Sequence, residues 1–255
     1  MSRLEPDRGP DFRRPYGREP RQMEPPRELP RLQDSDRKAL QVVGSFRIVN
    51  AKEIASSSVR RLLDKGLIQR RTMHPGKGRP PLMVLSLTRK GRATLEAART
   101  PGDRQRYWTG IVKPKEIEHD TSIYTAYQKE AAQIEAAGGK IERIVIDYEW
   151  KADINAELNQ PSSPEQSARR QEIAEEYGLP VVDDKLLLPD LRIEYLDADG
   201  QEQHLDVEVL TRHYRGSHLA GKAKSGFRLH RTGGGKGRTT DPRAAVRDDH
   251  HLSFL

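Results

Sequence analysis

Three carboxylates in the C-terminal half carry the strongest chemical signal in the chain. Leu191, Ile193 and Tyr195 alternate with Asp190, Arg192 and Glu194, and Leu205, Val207 and Val209 alternate with His204, Asp206 and Glu208. Strict alternation predicts two half-buried strands. Between them, Ala198-Asp199-Gly200 reads as a three-residue hairpin loop with glycine in the left-handed position, which sets Asp197 opposite Gln201. Leu191 then faces Val207 and Ile193 faces Leu205, giving one apolar face. A two-residue loop would scatter these residues over both faces, and a single buried face selects register strongly. On the other face Asp190 lies opposite Glu208, and Arg192 opposite Asp206. Opposed carboxylates repel unless a cation or a proton sits between them. Asp190, Asp206 and Glu208 are therefore expected to cradle a hard divalent ion, Mg2+ or Mn2+. The plainer alternative is a hairpin with an Arg192–Asp206 pair and solvated acids that do no chemistry.

The elements that must position such a hairpin fall into blocks of opposite charge. Residues 1–34 hold 8 basic and 7 acidic side chains, residues 35–100 hold 15 and 4, residues 101–210 hold 12 and 24, and residues 211–255 hold 10 and 3. The overall charge of +7 averages over these blocks, which suggest a basic module, an acidic module and a basic tail. Seven of the 17 prolines lie within residues 1–33. With so few apolar residues around them, residues 1–34 are expected to be a disordered Pro/Arg-rich tail.

From Ser35 the pattern becomes regular. Ala39, Leu40 and Val43 keep helical spacing, with Asp34 or Ser35 as cap. Asn50 is expected to cap a short helix containing Ile54. A third helix carries Val59, Leu62 and Leu63, with Ser57 or Ser58 as cap and Gly66 closing it. Residues 67–71 and 82–87 read as strands joined by a basic, turn-rich loop, and Thr88 caps a closing helix through Arg99. Three helices, a hairpin with a basic loop and a further helix predict a winged helix-turn-helix over residues 35–100. Leu63-Asp64-Lys65-Gly66-Leu67-Ile68 and Leu87-Thr88-Arg89-Lys90-Gly91-Arg92 resemble the corresponding stretches of MarR-like winged helices, although the stretch between Asn50 and Ser58 is short. The expected partner is double-stranded DNA. Ser56, Ser57, Ser58, Arg60 and Arg61 would face a groove, with Arg70, Arg71, Lys77 and Arg79 on or near the wing.

Residues 101–118 read as a linker. His119-Asp120 begins a helix with Ile123, Tyr127, Ala131 and Ile134 as its stripe, ended by Gly138-Gly139. The imidazole of His119 either caps that helix or stands near the acidic face for proton transfer. A strand over residues 141–147, an acidic strand region around Glu149, a polar loop and a helix from Pro164 to Tyr177 precede the hairpin. Pro189-Asp190, a hairpin and an acidic pair on the return strand resemble the PD-(D/E)XK nuclease superfamily. That resemblance implies two metal-binding acids and a lysine two residues after the second, which helps activate water for phosphodiester hydrolysis. Leu210 stands at the lysine position if Glu208 is the second acid, and Glu208 itself stands there if Asp206 is. Lys222 or Lys224 would then bring the ammonium group from the following helix. Taken together, residues 36–230 resemble the replication-relaxation family of plasmid and mobile-element proteins, departing from it at Leu210.

The expectation is an α+β protein: a winged helix, then a mixed α/β restriction-endonuclease-like domain over residues 119–231, then a flexible basic tail over residues 232–255. The function implied is DNA binding in plasmid or mobile-element replication, with a nuclease-like domain that is active or degenerate. A Mg2+-dependent endonuclease or nickase and a protein-interaction scaffold are the alternatives. A homodimer, or a basic protein docked on the acidic segment, is compatible with either.

Other signals are weaker. Gly233-Gly234-Gly235-Lys236-Gly237 lacks the spacing of a phosphate loop. His213, His218 and His230 show no fixed spacing for zinc, and Trp108 and Trp150 suit core or interface positions. The absence of cysteine removes disulfides and thiolate chemistry. No apolar run suits a membrane span and the first residues hold no apolar signal core, so a cytoplasmic protein is expected.

Overall fold

The computed structural model describes residues 29–76, 78–110, 116–158, 164–210, 222 and 224–232. In chain order the elements are α1 (Asp34–Ser45), β1 (Ile48–Asn50), a 3-10 turn (Ala51–Glu53), α2 (Ser56–Asp64), β2 (Ile68–Met73), β3 (Leu82–Leu87) and α3 (Arg89–Ala97). They continue with α4 (Ile117–Ala136), β4 (Lys140–Ile146), α5 (Asp147–Leu158), α6 (Pro164–Tyr177), β5 (Val181–Val182), β6 (Lys185–Leu186), β7 (Leu191–Leu196), β8 (Glu202–Leu210) and β9 (Arg228–Arg231). The architecture is mixed α+β, with sheets ordered β1-β3-β2, β4-β7-β8-β9 and β5-β6. Among the described residues no helix is long and apolar enough to cross a membrane.

The described residues of 147–188 form one compact unit, and those of 29–146 and 189–232 form another.

In that larger unit, Leu40 and Val43 on α1 and Leu62 on α2 are fully buried, as helical spacing predicts. The expected caps are not all made. Gln33 precedes α1 and Ala55 precedes α2, and neither forms a side-chain cap. Asp34 instead lies inside the first turn of α1, where its charge opposes the positive end of the helix dipole. The Asn50 side chain does accept the Lys52 N–H, at 3.1 Å, but it caps a single 3-10 turn that ends as Ile54 becomes extended. Thr88 caps α3 by accepting the Gly91 N–H at 3.0 Å. Gly91 is needed there for space, because a Cβ at that position would stand 2.1 Å from the Leu67 carbonyl oxygen.

Helix α4 packs on β1 and also on β4, β7 and β8, so it is shared by the first two sheets. Ile117 joins Ile48 and Val84 in one buried cluster flanked by Met73 and Leu82. Phe46 lies 5.0 Å and 4.9 Å from the rings of Tyr124 and Tyr127.

The hairpin register is the expected one: Leu191 pairs with Val207, Arg192 with Asp206 and Ile193 with Leu205. Asp197 donates its N–H to the Gln201 carbonyl at 2.9 Å, and Gly200 takes φ +77°. β9 adds parallel to β8, which requires a crossover, and Lys222 lies on it. One edge of β4 is closed by a side chain. The Gln105 amide accepts the Ile144 N–H at 2.8 Å and donates to the Ile144 carbonyl at 3.0 Å, imitating a paired strand.

In the smaller unit, the region around Glu149 is helical rather than a strand: Glu149 is buried within α5. Trp150 is a core residue, 4% exposed. β5 and β6 close through Asp183 and Asp184, both at positive φ, as a two-residue hairpin requires. Asp184 accepts from Arg170 and from Ser167, each at 2.8 Å.

Candidate functional site

The acids at the start of β7 and near the end of β8 meet basic partners from two other elements. Continuing the β7–β8 register by one residue sets Asp190 opposite Glu208, and both are buried, at 9% and 1% exposure. Neither is left as a bare carboxylate. Asp190 Oδ2 accepts the Val209 backbone N–H at 2.8 Å and the Nε2–H of His119 at 3.1 Å. His119 Nδ1 reaches Asp120 Oδ1 at 3.3 Å. Glu208 Oε2 accepts from the Lys222 ammonium at 2.9 Å, and that ammonium also lies 5.2 Å from the centre of the Phe227 ring.

Electrostatics fix the protonation of His119. Burial by itself would depress its pKa, but the hydrogen bonds and charges of Asp120 and Asp190 outweigh burial and push it up to about 10. The protonated ring can donate from both nitrogens, to Asp120 and to Asp190. His119 lies in the first turn of α4 and bonds to Asp190 as well as to its own neighbour, so local capping alone does not account for it.

Asp206 stands apart from this pair. Arg192 holds it bidentately, donating from Nε at 2.7 Å and from Nη2 at 2.8 Å, with both side chains largely buried. Of the expected catalytic set, Asp190, Glu208 and Lys222 are therefore brought together, with His119 added. Asp206 is committed to Arg192, and Lys224 is exposed. Among the described residues no three His, Asp or Glu side chains gather as a metal-holding group. The residues present do not fit the three-acid cradle. A cation bridging Asp190 and Glu208 would have to displace the ammonium of Lys222 and compete with the charged His119.

The residues expected to meet DNA divide in the same way. Ser56, Ser57 and Arg60 on α2 and Arg70 and Arg71 on β2 are exposed. Ser58 is turned inward, 1% exposed, and cannot reach a groove. Arg61 is spent on α1: it grips Asp36 at 2.8 and 2.7 Å, and Asp36 is itself only 1% exposed. That guanidinium holds the Asp36 carboxyl below the usual carboxylate range. Arg79 is ion-paired with Glu118 on α4. Lys77 lies outside the described residues, as do the 1–28 part of the N-terminal tail, residues 233–255, His213 and His218.

Compared with known protein families, curated proteins and solved structures, the chain matches none.

Sequence reasoning missed several partners. Asp36 sits four and seven residues before Leu40 and Val43, on the apolar stripe of α1, and an acid at such a position signals a buried ion pair. Glu130 occupies a similar place on α4, one residue before the stripe residue Ala131. It is 1% exposed and accepts from His230 Nε2 at 2.7 Å, tying α4 to β9. This bond gives His230 a structural role. Trp108 is half-buried, and its backbone N–H donates to the Gly44 carbonyl at 2.8 Å.

Proposed function

We propose that this chain is a duplex-DNA-binding protein in which residues 35–100 act as a winged helix and the β4-β7-β8-β9 sheet is nuclease-like but serves binding. The observation that carries the reading is a set of exposed cations: Arg60 on α2 and Arg70 and Arg71 on the edge strand β2 are exposed, with no acidic partner among the described residues. The order of elements, α1, the 3-10 turn, α2, the β2–β3 hairpin and α3, supports it. So does a net +11 on 66 residues, since phosphate contacts depend on releasing counterions from DNA. Ser56 and Ser57 in the first turn of α2 offer short polar side chains to base edges. A cytoplasmic role in replication of a plasmid or mobile element follows from the resemblance to the replication-relaxation family.

The nuclease-like half is assigned to binding because its acids are already neutralised by His119, Lys222 and Arg192. A second reading, a Mg2+- or Mn2+-dependent endonuclease, is favoured by the convergence of Asp190, Glu208 and Lys222. In it the two acids would hold the ion, which would polarise a phosphate and a water.

Fluorescence anisotropy of a labelled duplex across a salt series tests the main reading. Replacing Arg60, Arg70 and Arg71 by Ala should flatten the slope of log K against log salt by about 2 to 3. An unchanged slope overturns the assignment of these cations. Incubation with supercoiled DNA and Mg2+ or Mn2+ separates the second reading: nicking that Asp190→Asn abolishes would replace binding by catalysis.

A further inference from the structure

We infer that Glu118 is an internal phosphate mimic that holds Arg79 of the β2–β3 loop away from DNA, so that the wild-type chain binds duplex without the Arg79 contact and gains it only when the ion pair is removed. The inference rests on the DNA-binding reading and adds a regulatory contact to it.

Three features carry it. The guanidinium of Arg79 is paired with the Glu118 carboxylate, an anionic oxygen pair that matches a guanidinium as a phosphate does. The two side chains are 23% and 43% exposed, so the pair sits at the surface, where an Arg79 released from the acid can reach a polyanion. Finally, the pair is placed by packing rather than by chance. Ile117, the residue before Glu118, is fully buried against Ile48 and Val84, with Met73 and Leu82 at the two ends of the loop packed beside it. The first turn of α4 is thus fixed under the wing, and its acid is delivered to a cation of the β2–β3 loop. Arg70 and Arg71, on the same hairpin, are exposed and carry no such partner among the described residues.

The test is duplex affinity and its salt slope for the full chain, with Glu118→Gln, Arg79→Ala and the double variant. Glu116→Gln serves as a charge control, because Glu116 precedes α4 without forming a side-chain cap. Glu118→Gln should bind about threefold to fivefold tighter and steepen the salt slope by about 0.9, one added phosphate contact. Glu116→Gln should leave the slope unchanged, and Glu118→Gln should give no steepening once Arg79 is Ala. Glu118→Ala repeats the measurement should the amide make a new contact, and circular-dichroism melting checks that each variant is folded. Equal slopes for wild type and Glu118→Gln overturn the latch. If those equal slopes still depend on Arg60, Arg70 and Arg71, the DNA reading survives and only the latch fails. If neither protein binds duplex, both fail.

Discussion

Replacing His119 by Gln tests whether the cluster on β7 and β8 is held by an imidazolium. The substitution keeps an N–H donor for Asp190 but removes the positive charge. In the folded chain the pKa of His119 is pushed up to about 10 from an ordinary value of 6.5. A raised folded pKa means that the stabilisation is fully present below the unfolded value and is lost as pH rises from about 6.5 through about 10. Integrating that difference at about pH 7 gives a ceiling of about 4 kcal/mol. The ring is 26% exposed while Asp190 is 12% exposed, so partial solvent screening reduces the expected value to about 2 kcal/mol. Urea unfolding of wild type and His119→Gln should therefore differ by about 2 kcal/mol near pH 6, and the difference should shrink towards zero near about pH 10.5. NMR titration of the His119 ring proton supplies the independent check. A stability difference that stays constant over this range, or a ring that titrates near its ordinary value, would refute the electrostatic account.

Lys222→Met leaves Glu208, 1% exposed, without its ammonium; thermal or urea unfolding should show a loss of about 3 kcal/mol, most of it recovered when Glu208→Gln is added. Glu53→Gln should stabilise the fold. Burial raises the Glu53 pKa against the opposing Thr125 hydrogen bond, and its Oε2 finds no hydrogen-bond partner among the described residues. The carboxylate therefore costs stability as pH rises above 4.5, and the amide should gain about 1 kcal/mol near neutral pH and nothing near about pH 3.5. Gln105→Ala should cost about 1 to 3 kcal/mol and selectively speed hydrogen exchange at the Ile144 amide, which loses its acceptor. Arg61→Ala strands a buried Asp36 and should lower the melting temperature sharply, whereas Arg60→Ala should leave melting unchanged and weaken duplex binding.

How much of this was legible in the chain depended on the range of the interaction. The β7–β8 register followed from one turn and two alternating strands, because glycine at position 200 and a single apolar face leave one pairing that buries all of it. α6 and β3 were equally plain, one bounded by Pro164 and Gly178 and the other by its apolar run. β1 was missed because three residues are too few to show alternation, and β9 because a parallel neighbour lies beyond a crossover. The caps of α1 and α2 failed for a local reason: several short polar residues stand in a row, and the helix began before the expected one. At the site, the facing acids and the Arg192–Asp206 pair were readable from register alone. The His119–Asp190, Lys222–Glu208 and Arg79–Glu118 pairs were not, since each joins elements whose docking no local pattern specifies.

Those long-range pairs also decide what the acidic cluster can do. Asp190 and Glu208 face each other on adjacent strands, an arrangement that cannot persist in a buried site with both acids charged and uncompensated. A bound divalent ion is one solution, and it demands a third oxygen donor or an open position for water. Cations of the chain itself provide another. α4 delivers an imidazolium to Asp190, the crossover before β9 delivers an ammonium to Glu208, and Arg192 removes Asp206 from the set. Each compensating cation sits on a different element, so neutralising the acids also ties α4 and Lys222 to the central strands. A sheet tied through α4 to the base of a basic hairpin is compatible with the proposed binding role.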